Sequence, residues 1–239
     1  MSTNIDGFLN KRDEFNAFLK DKNPDIISIT ETIAKRQTQF NESEYQLPGY
    51  KLFLSPRQER GVALYIKETL NPMECDTLTK FDFVESTWAQ FIGGNEQKVL
   101  VGCIYKSPNT TEDNTKKLYE LMRHEMIQTF DCVCILGDFN FPTIDWLNMT
   151  WTNSDNAFIE SLRDSYLQQV VTKPTRRRDG QKANILDLVI VNDDSLVSEI
   201  THNSPFGKSD HEVLTFSLYV KNMKPKEESQ MKYNWKKGN

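Results

Sequence analysis

Asp138 and Asn140 stand two residues apart, directly after an apolar run, Cys132 to Leu136, that ends at Gly137. Such a run reads as a buried strand, and in an extended segment side chains at i and i+2 point the same way. A carboxylate and a carboxamide side by side at a strand end suit a hard cation or a phosphate. A second polar group, Ser209-Asp210-His211, precedes the apolar run Val213 to Leu218, so its acid and imidazole also sit at a strand end. Each motif alone also reads as an ordinary turn, because Gly, Asp and Asn are turn formers. With both strand ends on one side of a sheet, the two motifs would make a metal-assisted hydrolytic centre. Between them lies the densest basic segment, Lys173 to Lys182, with Arg176, Arg177 and Arg178 in a row. That run is either a solvated loop or, given its place between the motifs, one wall of a phosphate groove.

The elements that must hold these residues show as alternating patterns. Lys11 to Lys22 carries Phe15, Phe18 and Leu19 at helical spacing and stops at Asn23-Pro24. Asp25 to Glu31 then reads as a strand ending in an acid. Gly61 to Ile66, Trp88 to Ile92 and Val99 to Tyr105 read as further strands. Asn114 to Phe130 and Ser154 to Gln168 read as helices, the second with Phe158, Ile159, Leu162 and Tyr166 on its buried side. Ile185 to Val191 is a strand holding one acid, Asp187, and an acid in an apolar strand needs a partner. Strands apolar on both faces must be covered on both faces. A doubly wound sheet and two packed sheets flanked by helices both satisfy that pattern, and no internal repeat is visible.

With 239 residues and a net charge of −5, the chain suits one sizeable domain and is not coated in basic surface. Cys75, Cys103, Cys132 and Cys134 show no CxxC spacing, so they read as small core residues in a reducing compartment rather than zinc ligands or disulfides. No apolar run approaches membrane-spanning length and no signal peptide is visible, so an intracellular protein, nuclear or cytoplasmic and not secreted, with no membrane association, is expected. Trp146 and Trp151 read as core rather than base contacts. Residues 1–220 read as the domain, and the polar stretch 221–239 as a tail or linker.

Several segments then occur in one order: Thr3-Asn4-Ile5-Asp6-Gly7; Pro24-Asp25-Ile26-Ile27 leading to Thr30-Glu31-Thr32; Gly61-Val62-Ala63-Leu64-Tyr65-Ile66; Ile104-Tyr105-Lys106-Ser107-Pro108-Asn109; Gly137-Asp138-Phe139-Asn140-Phe141-Pro142 with Ile144-Asp145-Trp146; Ile185-Leu186-Asp187-Leu188-Val189; and Ser209-Asp210-His211. In this order the set resembles the endonuclease/exonuclease/phosphatase superfamily, the fold of DNase I and the apurinic-site endonucleases. More narrowly, it resembles the apurinic-type endonuclease domain of Jockey-like non-LTR retrotransposons. The resemblance covers roughly residues 3–220. It implies a four-layered α/β sandwich of two packed mixed β-sheets flanked by helices.

The resemblance also implies roles. Glu31 would be the principal metal ligand, with Asn4 beside it and Asp210 close by, and a partly hydrated site of this kind suits Mg²⁺, with Mn²⁺ also fitting. Tyr105 would contact the phosphate, Asp138 would orient or deprotonate the attacking water, and Asn140 would hydrogen-bond the scissile phosphate. His211 would donate to that phosphate or act as acid or base, with Asp187 fixing its tautomer. Ser209 and the Arg176-Arg177-Arg178 run would bind substrate. The substrate would be DNA, and the nick would leave a 3′-hydroxyl that primes a reverse transcriptase, the partner domain towards which residues 221–239 would lead. Two departures stand out. Only Met1 and Ser2 precede Thr3, so the first strand is expected to be truncated and Asn4 to hang from a frayed start. The Gly-rich turn before Val62 is reduced to Gly61, with Glu59-Arg60 before it. Two other readings remain open at this point: an inactive remnant acting at most as a binding module, and a relative acting on another phosphoester.

Overall fold

The computed structural model describes residues 1–37, 39–55, 59–83, 85–178, 180 and 182–220. The expected tail or linker, 221–239, lies outside the described residues. The described strands are β1 (Ser2–Asn4), β2 (Ile26–Thr30), β3 (Tyr50–Leu54), β4 (Val62–Lys67), β5 (Met73–Glu74), β6 (Ser86–Ile92), β7 (Lys98–Tyr105), β8 (Cys132–Asp138), β9 (Gln168–Gln169), β10 (Asp187–Val191), β11 (Thr201–Asn203) and β12 (Val213–Thr215). The helices are α1 (Arg12–Lys22), α2 (Asp76–Thr79), α3 (Glu112–Met122) and α4 (Asn156–Asp164).

The strands form two six-stranded mixed sheets, ordered β11-β12-β1-β2-β4-β3 and β5-β6-β7-β8-β10-β9. Alternation along the strands explains the layering. Ile27 and Ile29 of β2, with Ala63 and Tyr65 of β4, pack on Phe15 of α1. Val62, Leu64 and Ile66 of β4 turn the other way and join the core of the second sheet, which α3 and α4 cover with Leu118, Leu121, Phe158 and Leu162. Helix, sheet, sheet, helix is the expected four-layered sandwich, with both faces of each central strand buried.

In each sheet a β-α-β unit, β1-α1-β2 or β7-α3-β8, supplies the only parallel pair among the described residues, flanked on either side by two antiparallel strands. The repeat invisible in the sequence is therefore present in the topology. Its consequence is positional: β1, β2, β7 and β8 end at the same edge where β4, β6, β10 and β12 begin. Glu31, Tyr105, Asp138, Asp187 and His211 all sit at that edge.

β1 is three residues long, but it is not frayed. It pairs in parallel with β2, Asn4 opposite Thr30, and antiparallel with β12, and Asn4 is buried. Two helices are shorter than the periodicity suggests. α3 ends at Met122 because His124 turns extended and caps a separate 3₁₀ turn, its Nδ1 accepting from Met126 N at 3.2 Å. α4 ends at Asp164 because Tyr166 adopts a left-handed φ of 55° and Leu167 N closes onto Leu162 O at 2.8 Å, the hydrogen bond that stops a helix. Tyr166 consequently leaves the buried face and is 80% exposed. The four cysteines are free and buried. Trp146 and Trp151 pack partly buried against the core, Trp146 edge-on to Phe158. No helix among the described residues is long and apolar enough to cross a membrane.

Candidate active site

Gly137 explains why β8 carries its acid to the edge. Its φ is +136°, and a Cβ there would lie 1.9 Å from Ile104 O of the neighbouring strand, so only glycine allows the approach. Asp138 then ends β8, 1% exposed, and Asp187 starts β10 directly opposite it in the antiparallel register. The chain after Asp138 is anchored apolar-side down. Phe139 and Phe141 bracket Phe158 of α4, with Phe141 stacked at 4.4 Å, and Lys106 Nζ lies 4.5 Å over the Phe141 ring. Asn140 is thereby held with its amide on Asp138 Oδ1 (3.1 Å) and its Nδ2 on Lys106 O (3.0 Å).

His211 precedes β12 and is 6% exposed. Its Nδ1 donates to Asp187 Oδ2 at 2.7 Å, which directs Nε2 towards Asp138 Oδ2 (3.9 Å) and Asp210 Oδ1 (3.7 Å). Neither of the last two separations is a hydrogen bond, so a third group can enter between them. Burial by itself would lower the His211 pKa, but Asp187, Asp138 and Asp210 outweigh it and push it up to about 10. Asp138 is pushed well above the usual carboxylate range, first by burial and then by Asp187 and Glu31, against the pull of His211 and of the Asn4 hydrogen bond. One group is thus kept protonated while its neighbour is kept ready to take a proton.

Asn4 ties the two sheets together. Its Nδ2 donates to Asp138 Oδ2 (2.9 Å) and to Glu31 Oε1 (3.0 Å), while its Oδ1 accepts from Asp6 N (3.1 Å). In this arrangement Asn4 presents donors, not an oxygen, to the two acids. Tyr105 is buried at the end of β7 and donates its hydroxyl to Glu31 Oε1 at 2.9 Å. Burial and the adjacent Glu31 raise its pKa, so the phenol stays a donor. Glu31, Asp6 and Asn140 all take left-handed φ angles, 51°, 45° and 46°. Such angles are uncommon for side-chain-bearing residues, least tolerated here by Glu31, and they cluster at functional sites.

Glu31, Asn4, Asp138, Asn140, Asp210 and His211 line one cleft of about 430 Å³, joined by Asp6, Lys35, Pro108, Arg176, Arg178 and Lys208. Arg176 and Arg178 face this cleft, Arg176 holding Asp210 Oδ2 at 3.0 Å. Arg177 points the other way and pairs with Glu212 at 3.0 Å, as the two-residue period of an extended run requires. Ser209 is turned inward: its hydroxyl donates to Asn4 O (2.9 Å) and accepts from His211 N (3.3 Å), joining the His211 loop to β1.

Asp138, Asp187 and His211 bring ligand-type atoms within 4.8 Å of one another. They are buried, and the Nδ1 of His211 is already committed to Asp187, so this cluster suits proton handling better than ion binding. Glu31 and Asp210 also line the cleft, Glu31 holding Arg60 and Asp210 holding Arg176, and their carboxylates are hard-oxygen donors of the type a divalent cation takes. Sequence reading missed Asp6, Lys35 and Lys208, single charged residues in loops whose convergence depends on the fold. It also gave no role to Arg60, whose guanidinium reaches both Asp6 (2.7 Å) and Glu31.

Residues 99–215 match a family model described as endonuclease-reverse transcriptase. No curated protein matches the chain by sequence. Among solved structures, the chain is similar to the endonuclease domain of TRAS1, a telomere-specific non-LTR retrotransposon, with a TM-score of 0.72 at 15% identity over 92% of this chain and 98% of that one. The AP endonuclease LMAP from Leishmania major superposes with a TM-score of 0.70 at 12% identity, over 91% and 87% of the two chains. NExo, a 3′-5′ exonuclease from Neisseria meningitidis, gives 0.65 at 16% identity, over 91% and 98%. With two packed mixed six-stranded sheets flanked by helices, the chain has a DNase I-like fold, and its β7-to-β12 half matches the endonuclease-reverse transcriptase family model.

Proposed function

We propose that this chain is a metal-dependent phosphodiesterase, a DNA-nicking endonuclease domain of a non-LTR retrotransposon, that leaves a 3′-hydroxyl to prime a reverse transcriptase of the same element. The observation that carries this reading is the meeting, at one cleft, of a buried carboxylate and a buried imidazole: Asp138 and His211, held by Asn4 and Asp187 respectively. The retrotransposon branch draws support from the endonuclease-reverse transcriptase family description and from the TRAS1 domain among the similar structures.

In the proposed reaction a water attacks the phosphorus in line with the departing 3′-oxygen, and Asp138 takes the proton that the water loses. The new P–O bond forms as the P–O3′ bond breaks, leaving a 5′-phosphate, and the departing 3′-oxygen takes a proton from solvent water to become the hydroxyl. His211, through Nε2, and Asn140 donate to the non-bridging oxygens, where charge builds. Arg176, Arg178, Lys35 and Lys208 attract and align the flanking phosphates. A divalent cation, Mg²⁺ or Mn²⁺, held by Glu31 and Asp210 would supply Lewis acidity towards the phosphoryl oxygens.

The test is nicking of supercoiled plasmid by the purified protein, with Mg²⁺ or with EDTA, beside His211→Ala and Glu31→Ala. Open circles that need Mg²⁺ and fall at least about a hundredfold in both variants are expected. A protein shown folded by circular dichroism that nicks nothing, or nicks equally well with His211 removed, would sink the proposal.

A further inference from the structure

Arg60 is the residue that the enzyme reading leaves without a task. Its backbone is pinned: Arg60 N and Gly61 N both donate to Glu85 Oε1, at 2.8 and 2.6 Å, and Glu85 is buried. From that anchor the guanidinium reaches into the cleft edge. Nη1 donates to Ile33 O at 2.5 Å, and Nη2 pairs with Asp6 Oδ1 at 2.7 Å and with Glu31 Oε2. Both members of the Arg60–Glu31 pair are largely shielded, with side-chain exposures of 17% and 15%.

The Glu31 carboxylate is therefore committed on both oxygens. Oε1 accepts from Tyr105 and Asn4, and Oε2 holds the guanidinium. A carboxylate can accept several hydrogen bonds, but a divalent cation and a guanidinium repel strongly when both crowd one oxygen in a shielded site. We infer that Arg60 is a built-in counter-ion that occupies Glu31 until a divalent cation displaces it, and that Arg60 thereby sets the ion affinity of this protein. This rests on the reading of Glu31 as the ion ligand. The displacement is small, because Arg60 keeps Asp6 and Ile33 O as partners when it yields Glu31, so the exchange needs one ion pair to open and no loop to move. It also gives the Arg60 side chain, which stands where glycines were expected before Val62, a role at the site.

Titration of the protein without DNA tests this, with free Mn²⁺ read by electron paramagnetic resonance for wild type, Arg60→Gln, Arg60→Lys and Glu31→Gln. Thermal unfolding of each variant checks that it folds. Arg60→Gln should bind Mn²⁺ about tenfold more tightly than wild type, the effect of removing one close, partly shielded competitor. Arg60→Lys, which keeps the charge but loses the two-pronged grip, should fall between, and it stands in should Arg60→Gln not fold. Glu31→Gln should lose the site. Loss in Glu31→Gln with unchanged or weaker binding in the Arg60 variants would overturn the counter-ion role alone. Identical titrations of all four proteins would overturn Glu31 as the ion ligand, and with it this inference.

Discussion

His211 and Glu85 show how opposite surroundings bend two titratable side chains. The imidazole is buried, which disfavours its charge, yet three carboxylates reverse the balance and hold the proton on. Glu85 is buried, and among the described residues no cation pairs with it. Its pKa rises to about 6 because burial outweighs the backbone N–H groups of Gly61 and Arg60 that it accepts from. The sign of the consequence is fixed. Below the ordinary value of 4.5 the carboxyl is neutral, folded or unfolded, and nothing is lost. As pH rises towards 6 the unfolded chain releases the proton first, so native stability falls, and the full cost persists above that range. Glu85→Gln keeps an oxygen for the same N–H groups and removes the ionisation. Its unfolding free energy relative to wild type should therefore climb by up to roughly 2 kcal/mol between pH 4.5 and 7, read by urea unfolding at both pH values. A difference that does not change with pH would refute the assignment. Asp138 and His211 were recognisable as chemistry in the sequence because their motifs are local. Glu85 and Arg60 were not, because their partners lie 24 to 54 residues away.

At the scale of elements, the cleft depends on two strands approaching where one of them turns. β8 can lie against β7 at Gly137 only because no Cβ intervenes. Gly137→Ala should cost about 3 kcal/mol or more, since it sets a methyl against a backbone carbonyl and strains a left-handed φ at once. A shift of under 1 kcal/mol in denaturant unfolding would show that β8 can move away freely. α4 plays the complementary part, its Phe158 receiving Phe139 and Phe141 on either side of Asn140. The long central strands and the helices were legible as periodic patterns. The edge strands β5, β9 and β11, two or three residues each, were not, for a pattern needs several turns of its period to be seen. The ends of α3 and α4 also escaped. They are set by His124 and Tyr166 adopting non-helical backbone angles inside runs that look helical.

For the whole molecule, a net charge of −5 hides an uneven distribution. The acids Glu31, Asp138 and Asp210 line the cleft, and Arg176, Arg178, Lys35 and Lys208 stand around them. Binding of a short duplex, measured by fluorescence anisotropy across a salt series with Ca²⁺ in place of Mg²⁺, should resolve the rim. Arg178→Ala should weaken binding and reduce the slope of log K against log salt by about one. Arg177→Ala, whose side chain turns away to Glu212, should leave that slope nearly unchanged. Equal effects of the two substitutions would place the DNA path elsewhere.

Residue type and short spacing determined which groups could act: a carboxylate and carboxamide two apart after a glycine, an acid and imidazole before a strand, an acid inside an apolar strand. They are local properties of an extended chain, readable without its partners. Only the tertiary structure decided which of these groups meet. The β1–β2 and β7–β8 units end at one edge of the sandwich, Asn4 of one sheet reaches Asp138 of the other, and Arg60 lands on Glu31 from 29 residues away. Such meetings follow from strand order and register across two sheets, which burial of many apolar faces at once selects and no single segment encodes.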